Sequence, residues 1–223
     1  KITGIPMVNV ATKLIMGSRL RDLGYEPGLA KESSFTAVKA PVFSFAKLST
    51  VDTFLSPEMK STGEVMGVDR DFRVALYKAL VASGLSIPRG GNVLVATGEW
   101  DRDDCIAISK KFSQLGFKLL AVEDDYNCLA DAGIPAELVP EDKVLDYIKT
   151  DRVSLVLSTH AKAGVPGRLG FAIRRTSMEY NIPCLTSLDT ANAILDVLEH
   201  LSECGEPGIY ALDEYSRYEG KAC

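Results

Sequence analysis

The chain has 223 residues, 46% of them hydrophobic and 25% charged, with a formal net charge of −5. That apolar content is enough for one large domain or two small ones and excludes a disordered chain. The acidic balance argues against a nucleic-acid binder, and no apolar run approaches the roughly 18–20 residues of a membrane helix.

No charged-then-apolar leader opens the sequence, and Lys1 stands where Met would, so a piece of a longer polypeptide, or one trimmed at its start, is expected. The five cysteines (Cys105, Cys128, Cys184, Cys204, Cys223) show no C-x-x-C spacing, and His160 and His200 are far apart. Free thiols in a reducing, cytoplasmic setting follow, with no metal site.

In chain order, residues 6–17 suit a helix with Val8, Ala11, Thr12 and Ile15 inward, closed by Gly17. Residues 37–45 (AVKAPVFSF) alternate like a strand, which Pro41 confines to an edge or a bulge. Residues 71–82 are amphipathic through Phe72, Ala75, Leu76, Ala79 and Leu80. These are too few elements for a self-contained core. Charge then changes sign: residues 1–84 hold 11 Lys+Arg against 8 Asp+Glu, a net of +3, and residues 85–223 hold 14 against 22, a net of −8. The change falls at the turn-rich stretch 83–91, so a linker is placed at 85–91.

From residue 92 strand and helix alternate. The run 92–97 (NVLVAT) reads as a buried strand, and Asp101 as the N-cap of a helix with Asp103 and Asp104 in its first turn. Ile108, Phe112 and Leu115 share one face of that helix, which Gly116 ends. Strands at 117–122, about 137–139, 153–158 and 182–185 follow, with helices at 125–132, 142–149, 169–180 and 190–201 between and after them. Such alternation specifies a small doubly wound α/β domain with a parallel sheet over 92–201. Residues 202–223 read as a polar tail.

Three stretches carry a family likeness: Val38–Phe45 (VKAPVFSF); Pro57–Gly67 (PEMKSTGEVMG); and Ile173-Arg174-Arg175 with Cys184–Ala191 (CLTSLDTA). In this order they resemble the large subunit of carbamoyl phosphate synthetase. The resemblance implies that residues 1–84 are the α+β tail of its second ATP-grasp unit. It implies that 92–201 is its methylglyoxal-synthase-like regulatory domain. The parent would make carbamoyl phosphate from bicarbonate, glutamine-derived ammonia and ATP, using Mg2+ or Mn2+, for arginine or pyrimidine synthesis. The metal-binding Glu and Asn of such units precede the segment that Lys1-Ile2-Thr3-Gly4 resembles, so no catalytic residue is expected in this chain. Its partners would be the rest of the large subunit, a small glutaminase subunit and further copies of itself.

The family places Met59 and Glu64 near an internal tunnel; an N-capping glutamate and a core methionine would fit the same residues. Domains of this fold hold phosphate at strand carboxyl ends, which marks Thr97, Arg102, Ser158, Thr159, Thr186 and Ser187 as candidates for UMP, IMP or phosphoribosyl pyrophosphate. These hydroxyls could equally be N-caps, with Thr190 opening the last helix. The acidic run Glu123-Asp124-Asp125 departs from the family's Thr-x-Gly-Thr loop and would repel phosphate, although capping and solvated charge explain it as well. Two further readings stand beside this one. One is a lyase of the methylglyoxal synthase type, for which His160 is a weak substitute for the expected histidine. The other is a structural interaction module that binds no ligand.

Overall fold

The structure, a computed structural model, describes residues 2–30, 32–43, 59–97, 101–159, 169–211 and 214. The order of elements is α1 (Met7–Ile15), β1 (Thr36–Val42), β2 (Gly63–Asp69), α2 (Phe72–Ala82), β3 (Asn92–Val95), α3 (Arg102–Gln114) and β4 (Lys118–Ala121). Then come α4 (Glu123–Asp131), β5 (Glu137–Leu138), α5 (Val144–Lys149), β6 (Leu155–Leu157), α6 (Leu169–Glu179), β7 (Cys184–Leu185) and α7 (Leu188–Cys204).

The second half builds a five-stranded parallel sheet in the order β5-β4-β3-β6-β7. Neighbouring residues of one strand point to opposite faces, and both faces are covered at the centre of the sheet, so Val93–Val95, Leu119–Ala121 and Leu155–Leu157 are apolar and buried, whereas the edge strand β5 is exposed. Val93 and Val95 join Ile108 and Phe112 of α3, Leu129 of α4 and Ile194 and Leu195 of α7. Leu94 and Ala96 join Val144 and Ile148 of α5 and Ile173 of α6 on the other face. The rings of Phe112 and Phe117 meet edge to face at 5.4 Å across the turn after α3. Gly116 makes that turn with φ 86°, as expected of a helix-ending glycine.

Several boundaries shift, two of them near the site. Helix α4 starts at Glu123, two residues before the sequence pattern suggests. Helix α7 takes Ser187 as its N-cap residue, not Thr190, and runs on through Cys204. Beyond it, Glu206 pairs with Arg89 at 2.8 Å, and the Tyr210 ring lies 5.7 Å from Lys78 Nζ. Cys105 and Cys128 are free, whereas Cys204 is disulfide-bonded, against the expectation of free thiols throughout.

The first half makes an antiparallel β1–β2 hairpin covered by α2. Pro41 sits in β1, whose one strand partner among the described residues is β2, so its missing N–H breaks no second ladder there. Strand β2 escapes a pattern-based reading because glycines and Glu64 dilute its apolar alternation. Its Gly67 has a role: a Cβ there would lie 2.0 Å from the Ala75 carbonyl oxygen and 2.5 Å from the Ala79 nitrogen. The strand can approach the helix only with hydrogen at that position. Asp71 caps α2 by accepting from the Arg73 N–H at 2.8 Å, and Asp69 and Lys78 form a 2.8 Å ion pair with little exposure.

Helix α1 forms as expected, but its apolar face is not inward. It has no buried residue, and Val8 and Ile15 are 81% and 85% exposed. Phe72 is likewise exposed; Val74 takes its place beside Ala75 and Ala79 under α2. Leu80, Leu85 and Ile87 pack against the core of the α/β unit, and α2 packs against α7.

Candidate functional site

In the order β5-β4-β3-β6-β7 the chain reverses direction of travel between β3 and β6. At such a switch point the loops from the two carboxyl ends diverge and leave a crevice, the usual ligand seat of an open parallel sheet. Val95 of β3 is paired with Leu157 of β6, so Thr97 and Thr159, each two residues further on, both lie at this crevice, with Ser158 directly before Thr159. Leu157 is also paired with Leu185, which brings Thr186 and Ser187 to the same end of the sheet from β7.

The hydroxyls are thus assembled, but not free. Thr97 donates twice to one carboxylate: its N–H to Asp125 Oδ2 at 2.9 Å and its hydroxyl to Asp125 Oδ1 at 2.5 Å. Thr159 donates its hydroxyl to Asp101 Oδ2 at 2.7 Å. Asp125 is only 8% exposed, so it is a structural acceptor and not the solvated charge its run of acids suggests. Asp101 precedes α3 as expected, yet its side chain makes no capping bond and reaches across to Thr159 instead.

The β6–β7 side differs. The Ser158 side chain is fully buried, and its Oγ has no hydrogen-bond partner among the described residues. Thr186 and Ser187 are half-buried, and Ser187 makes no side-chain cap bond to α7. Arg174 of α6, in the Ile-Arg-Arg motif, is 1% exposed, whereas Arg175 pairs with Glu179 at 2.8 Å on the outer side. That burial was not readable from the motif, since a helix can turn either arginine inward.

Arg102 is exposed at the start of α3 and lines an open groove of about 450 Å³ between α3 and α4, beside Asp124 and Asp131. Asp103 and Asp104 in the first turn of α3, and Glu123 to Asp125 in that of α4, place carboxylates at both helix N-termini. Cys105 lies beneath, its thiol pushed up to about 11, chiefly by burial and further by the Asp125 charge.

Met59 and Glu64 are far from this crevice in the chain's order. Met59 is 88% exposed and so is no core methionine. Glu64 lies within β2 and forms an ion pair with Lys39 at 2.5 Å, an exposed cross-strand contact and not a helix cap. His160 and the stretch 98–100 lie outside the described residues. Among the described residues no helix is long and apolar enough to cross a membrane.

A doubly wound parallel α/β unit with hydroxyls at its switch point is the class defined so far. Residues 104–186 match the family model of the MGS-like domain, so this part of the chain is MGS-like. Among solved structures, methylglyoxal synthase from Elizabethkingia anophelis NUHP1 is similar over 61% of this chain and 97% of its own, with 16% identity and a TM-score of 0.42.

Proposed function

We propose that the chain is the C-terminal part of a carbamoyl phosphate synthetase large subunit, in which the MGS-like unit regulates and associates and does not catalyse. Residues 1–84 would close the second ATP-grasp unit. ATP and its Mg2+ or Mn2+ would be handled by the polypeptide around this piece, in a cytoplasmic assembly with a glutaminase subunit. The sequence likeness in Val38–Phe45, Pro57–Gly67 and Cys184–Ala191 supports the family, and the MGS-like match supports the kind of module.

The observation that carries the regulatory reading is the state of the crevice acids. A lyase working on a phosphate ester needs a carboxylate free to take a proton. Here Asp125 is held by two donors of Thr97, and Asp101 by the Thr159 hydroxyl. The seat left for an effector is the β6–β7 side, with Ser158, Thr186 and Ser187. Calorimetric titration with UMP, IMP and phosphoribosyl pyrophosphate tests this. Saturable binding that weakens in Thr186→Ala is expected; silence from all three on folded protein would remove the effector role and leave an association module.

A further inference from the structure

We propose that the crevice is closed from within: Asp125 and Asp101 occupy, as internal anions, the donors that would otherwise receive a tetrahedral oxyanion. The inference rests on the reading of this crevice as the binding seat and adds how it is regulated.

The geometry at Thr97 is that of anion recognition. One N–H and one O–H of a single residue converge on the two oxygens of one carboxylate, at 2.9 and 2.5 Å. An oxyanion entering at the end of β3 would present oxygens to the same two donors. On β6, Thr159 makes a single bond of this kind, its hydroxyl donating to Asp101 Oδ2 at 2.7 Å. The two acids come from different helix starts, α4 and α3, and reach the two strands that flank the switch point. Asp101 makes no side-chain cap bond to α3, and Asp125 lies inside the first turn of α4, whose N-cap residue is Val122. A second consequence is repulsive. An anion approaching Thr97 meets Asp125 a few ångströms away in a poorly screened site, so it must displace the carboxylate and also tolerate it nearby. Ser158, buried directly before Thr159 and without a hydrogen-bond partner among the described residues, is a donor such an anion could then satisfy.

Removing the internal anions should therefore create affinity. Inorganic phosphate is titrated calorimetrically at constant ionic strength into the full chain and into the Asp101→Ala/Asp125→Ala double variant. The variant is expected to bind at least about tenfold more tightly. The charge-matched control Glu123→Gln/Asp124→Asn, which frees no threonine, should give little of that gain, and adding Thr97→Val to the double variant should abolish it. Should the double variant not fold, Asp101→Ala and Asp125→Asn singly carry the test, each with tighter binding than wild type. No gain in folded variants, or an equal gain in the control, overturns the proposal. Lyase turnover by the wild type would defeat the functional reading instead, so the two failures are distinguishable.

Discussion

The α/β unit and the hairpin unit before it solve the same problem with different resources. In the α/β unit the central strands of a five-stranded sheet are enclosed on both faces, by α3, α4 and α7 on one and α5 and α6 on the other. In the hairpin unit two strands are covered by one helix, and that helix leans on α7 of the other unit. A two-stranded ribbon is marginal alone. Hence the hairpin unit rests on close contacts, Gly67 against Ala75 and Ala79, while the α/β unit rests on apolar volume.

The largest effect should come from deleting volume. Phe112→Ala, at a fully buried ring, is expected to cost about 3–5 kcal/mol in denaturant unfolding, and a loss below about 1 kcal/mol would show that the core is loosely packed. Gly67→Val should cost somewhat less, roughly 1–3 kcal/mol, because α2 must retreat from β2. Hydrogen exchange sharpens the contrast: amides of Val68 and Ala79 should lose protection while those of Leu94 and Val156 keep it. Uniform loss would mean that the two units unfold as one.

Smaller effects follow from charge. The Arg73 guanidinium lowers the Asp71 carboxyl from 3.8 to about 2. Its folded value lies below its unfolded one, so its contribution is complete above about pH 4 and is lost as pH falls toward 2. Asp71→Asn should flatten the acid limb of the hairpin unit's melting curve and leave the α/β unit's limb unchanged. Last, Cys105, with its thiol raised to about 11, should resist alkylation at pH 8 in folded protein while Cys128 reacts. Labelling of Cys105 at a similar rate would show that the end of β3 opens.

How far the sequence speaks also differs between the units. The runs NVLVAT and VSLVLS are short, apolar and bounded by turn residues, and the structure has β3 and β6 within them. Strand β2 carries Gly63, Glu64 and Gly67, whose reason is tertiary: an ion pair to Lys39 and a close approach to α2. Helix α1 shows the converse, an apolar stripe readable in the sequence with nothing buried beneath it. At the crevice, Thr97, Ser158 and Thr159 were legible as strand-end hydroxyls. Their partners were not, because the bonds join Thr97 to a residue 28 positions away and Thr159 to one 58 away, distances over which local pattern carries no information. Asp125 in particular looked like one of three solvated acids, and only the packing of α4 on the sheet distinguishes it from Glu123 and Asp124.

The central claim, that this MGS-like unit regulates and does not catalyse, is tested most directly by incubating the folded chain with a triose phosphate and measuring methylglyoxal release. The account predicts release no faster than the spontaneous decay of the substrate, in wild type and in Asp125→Asn alike. Turnover in the wild type that Asp101→Asn or Asp125→Asn abolishes would contradict it, and would make the two buttressed carboxylates the catalytic groups of a lyase.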